Sequence, residues 1–232
     1  MSNKIKSAYE LQHYQGVSPE SAKYIFWGTD ANFDSILGVK EQELVIEYLE
    51  DGPSFWRRYK VHHPFLVEGY KFRAGRRYHR RFQALGFTPE YSSLISFVDV
   101  CGYSENAMFK SVGNVPNYCL NSLVKKCLSP GKINFMSISV LKELIRHLNC
   151  ERSGVSLSES TERGLCELAE YKLEDKDRIP VFVGDAFAII RHFHFSSTSF
   201  SNIRAFLLCD VRKAVEDKNF TKANRFGALY IF

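Results

Sequence analysis

Close cysteine pairs are missing from this 232-residue chain. Cys101, Cys119, Cys127, Cys150, Cys166 and Cys209 are scattered, and no CxxC brings two thiolates to one zinc ion or iron–sulfur cluster. Reduced structural thiols are the reading that remains. Long apolar runs are missing too: no stretch approaches the roughly 18 to 20 apolar residues of a membrane span. The N-terminal MSNKIKSAYELQHYQG has no apolar core of the signal-peptide kind, so a cytoplasmic chain without membrane contact is expected. There is no H-E-x-x-H, no G-x-S-x-G and no glycine-rich loop followed by Lys-Ser or Lys-Thr, which removes zincin, serine-hydrolase and kinase-type signatures. His62, His63 and His79 are the nearest thing to a ligand set, but the adjacent His62 and His63 are expected to point apart in an extended loop, and neither a metal nor a cofactor is expected. Internal repeats and low-complexity tracts are absent as well.

What the chain does have is a large apolar fraction, 45% of residues with 14% aromatic, enough for the core of a single α/β domain over residues 1–232. A monomer is expected. The net charge of +5 is unevenly spread. Between Arg57 and Arg81, nine Lys and Arg residues stand against the single acid Glu68, a window of +8 that leaves −3 for the remainder. Tyr59, Phe65, Tyr70, Phe72 and Tyr78 are interleaved with that charge. The mixture suits phosphate contact beside packed or stacked rings, and it equally describes a solvated helix face over core aromatics.

Tyr24-Ile25-Phe26-Trp27 is a short apolar run closed by Gly28, as in a buried strand that ends at a loop. Glu41 to Tyr59 has helical spacing through Leu44, Val45, Tyr48 and Leu49, with an interruption at Gly52-Pro53. Arg76 to Leu85 reads as a helix stopped by Gly86. Leu94 to Val100 is a second buried strand, and Ile133 to Ser137 a third, running into SVLKELIRHL with Leu141, Leu144, Ile145 and Leu148 on one face. Cys150 to Leu173 is a polar excursion plus a helix. Ile179 to Val183, Gly184-Asp185 and Ala186 to Phe195 form either a hairpin with a Gly-Asp turn or a strand running into a short helix, with extended structure favoured. The alternation predicts a three-layer α/β/α domain around a central, mainly parallel four-stranded sheet. Ligands then collect beyond the carboxyl ends of the strands, after Trp27, Val100, Ser137 and about Phe193.

Two of those strand ends carry side chains suited to chemistry. In FWGTDANFD, residues 26–34, Gly28 permits close backbone approach or a positive φ, Thr29 and Asp30 offer acceptors, and Asn32 offers a donor and an acceptor. Such a loop can hold a water molecule beside a carboxylate; Asp30 or Asp34 capping the next helix is the plain alternative. In RHFHFSSTS, residues 191–199, His192 and His194 fall on the same side of a strand, and the serines after them suit a helix cap or a phosphate.

The order of these motifs resembles the uracil-DNA glycosylase superfamily. GTDAN follows the first strand, AGRRYHRRFQALGF precedes the second, ISFVDV has a polar exit, NFMSISVLKEL is the third unit, and HFS comes near the end, together covering about residues 20 to 205. The resemblance implies a DNA N-glycosylase without cofactor, acting on single- or double-stranded DNA. It would hydrolyse the bond to uracil or another modified base and leave an abasic site. It implies Asp30, Asn32 and His194 as catalytic residues, Asp30 orienting water and His194 donating to the leaving base. Gly28, Thr29, Phe33, Phe97 and Asp99 would bind the base, the register allowing either Phe97 or Asp99 to read its edge. Arg76, Arg77, Arg80, Arg81, Ser196 and Ser197 would hold DNA phosphates while the base is drawn from the stack. Ala31 and Phe195 stand where many members carry proline, and Asn32 where one branch has a tyrosine that screens out thymine, so bulky modified pyrimidines join uracil as possible bases. Two other readings stay open: a nucleic-acid-binding module with the same fold and no chemistry, and an α/β hydrolase or transferase acting on free nucleotides.

Overall fold

The computed structural model describes residues 3–29, 31–33, 37–71, 75–100, 103–105, 117–149, 155–171, 179–184, 186–218 and 229–231. In chain order the elements are α1 (Asn3–Glu10), β1 (Tyr14–Gly16), β2 (Tyr24–Gly28), β3 (Ala31–Phe33), α2 (Val39–Glu50), α3 (Gly52–Tyr59), α4 (Arg76–Gln83), β4 (Ile95–Asp99), β5 (Tyr103–Glu105), α5 (Asn117–Cys127), β6 (Lys132–Ser137), α6 (Ile138–Leu148), α7 (Glu159–Glu170), β7 (Ile179–Val183), β8 (Phe187–His192), α8 (Asn202–Glu216) and β9 (Leu229–Ile231), with 3-10 turns at Pro64–Leu66 and Pro89–Leu94.

This is an α/β fold with a mixed sheet, and the expectation of four strands is corrected. Among the described residues the sheet has seven, in the order β1-β4-β2-β6-β8-β7-β9. The centre, β4-β2-β6-β8, is parallel, while β1 joins β4 and β7 joins β8 antiparallel, and β9 lies parallel to β7. β1 and β9 are three residues each, too short to leave an alternation in the sequence. The fourth parallel strand is β8, and the favoured hairpin is present: the Gly184 amide donates to the Phe187 carbonyl at 3.0 Å and turns the chain back from Ile179–Val183.

β4, β6 and β8 are buried along their whole length, as apolar strands covered on both faces must be. The period of two divides their side chains. Phe26, Phe97, Phe135 and Ile190 face Trp56 of α3, Phe82 of α4 and Leu208 of α8, with Phe26 stacked on Phe135 at 4.4 Å. Ile25, Val98, Met136 and Ile189 face Val124 of α5, Leu141 of α6 and Leu168 of α7. A third cluster joins Ile5 and Tyr9 of α1 to Val45 and Tyr48 of α2 and Phe55 of α3.

The helical segment read over residues 41–59 is two helices. The expected interruption falls at Gly52-Pro53: Asp51 caps α3, its Oδ1 accepting the Ser54 amide at 2.9 Å with Pro53 in the first turn. Among the described residues no helix is long and apolar enough to cross a membrane. Past their last paired residues, Gly28 and Asp99, β2 and β4 are followed by β3 and β5, which pair parallel as a separate two-stranded sheet with Asn32 opposite Ser104.

Candidate functional site

Beyond the carboxyl ends of β2 and β4 lies a cavity of about 160 Å³. A cavity of about 150 Å³ holds one benzene molecule, so this one is sized for a single six-membered ring. Six of the residues singled out in the sequence meet there: Gly28 and Thr29 at the end of β2, Phe97 and Asp99 at the end of β4, and His194 and Ser196 in the loop after β8.

Asp99 is 6% exposed and stands opposite Gly28 across the parallel pair. A Cβ on Gly28 would lie 2.2 Å from Asp99 Oδ1, so the glycine is required by close approach. Asp99 Oδ2 accepts from the Tyr9 hydroxyl at 3.3 Å and from Gln15 Nε2 at 3.5 Å. Phe97 and Asp99 are two apart on one strand and share a face, so both reach the cavity. Burial, reinforced by the Asp99 charge, holds the phenols of Tyr48 and Tyr78 well above their usual range and keeps both protonated.

The loop after β8 separates two histidines expected on one side of a strand. β8 ends at His192, which is buried, stacks on Phe195 at 4.5 Å and donates Nδ1–H to the Phe193 carbonyl at 2.6 Å. Burial pushes its pKa down to about 4. His194, past the strand, lines the cavity instead. Its Nδ1 accepts the Ser196 amide at 3.2 Å, which leaves the proton of the neutral ring on Nε2. Phe195, where proline was noted as usual, has no exposed surface and packs at 5.0 Å against both Tyr78 and Phe200. Arg81 Nη1 donates to the Phe195 carbonyl at 2.6 Å and to the Ser197 carbonyl, so its guanidinium ties this loop to α4. The Ser197 hydroxyl accepts the Ser199 amide at 3.1 Å inside the same loop.

The other basic residues are set apart from the cavity. Arg77 and Arg80 are exposed on α4 and Arg76 is half-buried; none of the three lines the cavity wall. Asp30 lies outside the described residues, as do the side chains of Asn32 and Phe33, whose backbone forms β3.

Gln15, Phe65, Tyr78 and two histidines, His63 and His79, also line the cavity, though none of them was singled out as a base-binding residue. The chain bends at residues 61–63, so His62 and His63 do not diverge but both contact the His79 ring, at 5.1 and 3.7 Å between centroids. His62 Nε2 and His79 Nδ1 are 3.0 Å apart. Burial keeps all three imidazoles neutral, with His62 and His63 well below the ordinary value and His79 pushed down to about 3. The available signal was three histidines among aromatics within 18 residues; judged only against metal-ligand spacing, it gave nothing. Among the described residues no group of three or more His, Cys, Asp and Glu side chains is placed to hold a metal ion.

No protein-family model, curated protein or solved structure matches this chain. The site is therefore read from its own chemistry.

Proposed function

We propose that the chain is a monofunctional DNA glycosylase of the uracil-DNA glycosylase type, a three-layer α/β/α domain that hydrolyses the bond between deoxyribose and uracil or another modified base. The observation that carries this reading is the meeting of the Gly28-Thr29 strand end, Asp99 and His194 around a cavity of one-ring size at the ends of two adjacent parallel strands. Ligands of open α/β sheets bind in that position.

Breaking an N-glycosidic bond leaves positive charge on the sugar and negative charge on the departing base. Phe97 and Phe26 supply an aromatic wall for a flat ring, and Asp99 is an acceptor for an N–H on its edge. The Nε2–H of His194 is a donor for a base oxygen as negative charge grows there. Asp30 follows Thr29 directly and takes the role of the carboxylate that orients water and offsets the sugar charge, with Asn32 beside it in the chain. The base has to leave the helical stack to reach such a pocket. Arg77 and Arg80, exposed on the helix that carries Tyr78 and His79, are suited to the flanking phosphates.

The test is base release from DNA carrying uracil, hydroxymethylcytosine or glucosylated hydroxymethylcytosine, read by alkali cleavage at abasic sites, for the wild type and Asp30→Asn. Abasic sites made by the wild type and lost in Asp30→Asn support the glycosylase and name its base. DNA binding without release from any substrate overturns it in favour of a binding module. Turnover of free nucleotides with no affinity for polymeric DNA overturns it in favour of a nucleotide hydrolase.

A further inference from the structure

We infer that His63 and His79 form a paired hydrogen-bond donor site for an oxygen of the ring bound in this cavity, and that His62 is the positioning residue that sets the His79 tautomer. The inference deepens the glycosylase reading and rests on it only for the ring being a nucleic-acid base. His63 and His79 come from different elements, the N-cap of the Pro64–Leu66 turn and the first turn of α4, yet both line the cavity and their rings lie parallel, 3.7 Å apart at 11°. Gly75, which precedes α4 at φ +74°, lies against the Phe65 ring, which a Cβ there would meet at 2.8 Å.

The protons follow from the hydrogen bonds. His63 Nδ1 accepts the Phe65 amide at 3.3 Å, so the proton of neutral His63 is on Nε2. In the 3.0 Å contact between His62 Nε2 and His79 Nδ1, either ring is a possible donor. His62 Nδ1 is buried with no partner among the described residues, and its ring sits against Trp56, Phe82 and Phe97. A proton on Nδ1 would strand a donor in that apolar setting, and stranded donors are rarer in proteins than stranded acceptors. His62 therefore donates from Nε2, and His79 carries its own proton on Nε2, the nitrogen not engaged by His62.

Two stacked neutral imidazoles with Nε2–H groups form a fixed donor pair that does not surrender a proton at neutral pH, suited to an oxygen that gains negative charge. Asp99 on the β4 side, a carboxylate already accepting from Gln15, supplies acceptors. The cavity then complements a single ring that carries both a carbonyl-type oxygen and an N–H or amino group. Purely hydrocarbon rings would fill the volume but leave this donor wall without its partner.

The experiment compares wild type, His79→Phe, His79→Gln and His62→Phe. It reads imidazole nitrogen NMR, binding of free uracil and cytosine, and base release from DNA. His63 and His79 are expected as Nε2–H tautomers, with nitrogen shifts that move on adding a base. His79→Phe keeps a ring against His63 and is expected to weaken base binding about tenfold, the loss of one good hydrogen bond; His79→Gln should recover part of it. His62→Phe should shift the His79 tautomer and weaken binding severalfold while the fold melts as a unit. Wild-type affinity in His79→Phe, or Nδ1–H tautomers in the wild type, overturns the donor pair. Should His79→Phe fail to fold, the wild-type tautomers and base-induced shifts decide by themselves. If the wild type releases no base from DNA yet binds free bases through His79, the glycosylase reading fails and the donor pair stands. If release is intact in His79→Phe and lost in Asp30→Asn, the reverse holds.

Discussion

The Asp99 carboxylate rests against the Cα of Gly28: the two residues pair across β4 and β2, and a methyl group on Gly28 would stand 2.2 Å from Asp99 Oδ1. The contact sets the Gly28-Thr29 strand end directly against an acceptor that lines the cavity.

Gly28→Ala forces that carboxylate aside, an overpacking typically worth about 1–3 kcal/mol. A lowered urea midpoint and a loss of base release are expected. Adding Asp99→Ala removes the clash, so the double variant should regain stability without regaining activity. Wild-type stability in Gly28→Ala would show that the strand ends yield easily.

Arg81 and its neighbours on α4 should separate cleanly. Arg81→Ala removes the donor to the Phe195 and Ser197 carbonyls, bonds of a charged group worth about 1.5–3 kcal/mol together with the packing around them. Amide exchange should quicken over residues 195–200 and base release should fall, with the salt slope of DNA binding unchanged. Arg77→Ala and Arg80→Ala should leave exchange alone and each reduce the slope by about 0.9 on duplex DNA. A salt slope altered by Arg81→Ala would make that arginine a phosphate contact after all.

Phe195→Ala empties a fully buried position between Tyr78, His192 and Phe200. A loss of about 3–5 kcal/mol is expected from chemical unfolding. Because the same residue anchors the turn that carries His194, base release should drop further than the folded fraction alone accounts for.

Acid should destabilise the protein through its buried histidines. His62 and His63 are held well below the ordinary imidazole value by burial, His79 at about 3 and His192 at about 4, whereas each titrates near 6.5 in the unfolded chain. Below pH 6.5 the unfolded state binds the extra protons, so stability is full above that pH and falls as the pH drops toward the folded values. Each neutral histidine adds a slope of about 1.4 kcal/mol per pH unit once its unfolded counterpart is protonated. Urea midpoints measured from pH 7 to pH 5 should fall steeply, and less steeply in His79→Phe. Midpoints constant across that range would mean the imidazoles titrate normally in the folded protein.

Local punctuation made much of the fold legible. The apolar runs of β2, β4 and β6 are strands, the 3.6-residue spacing of Leu141, Leu144 and Leu148 is α6, and Gly184 turns a hairpin. Residues 28, 29, 97, 99, 194 and 196 line one cavity because a parallel sheet gathers the loops at its strand ends. β1 and β9 were not readable, since three residues have no period, whereas β8 ends at His192, close to the strand end expected near Phe193.

The sequence by itself determined the strand–helix alternation, the polar loops at the strand ends and the gathering of positive charge between Arg57 and Arg81, all properties of neighbouring residues. Only the tertiary structure decided what that charge and those histidines do. Arg81 meets Phe195 across 114 positions and Gln15 meets Asp99 across 84, while a bend at residues 61–63 folds His62 and His63 onto His79. Contacts of that kind are set by how α4 packs over the sheet, and no local period or spacing encodes the packing of one element on another.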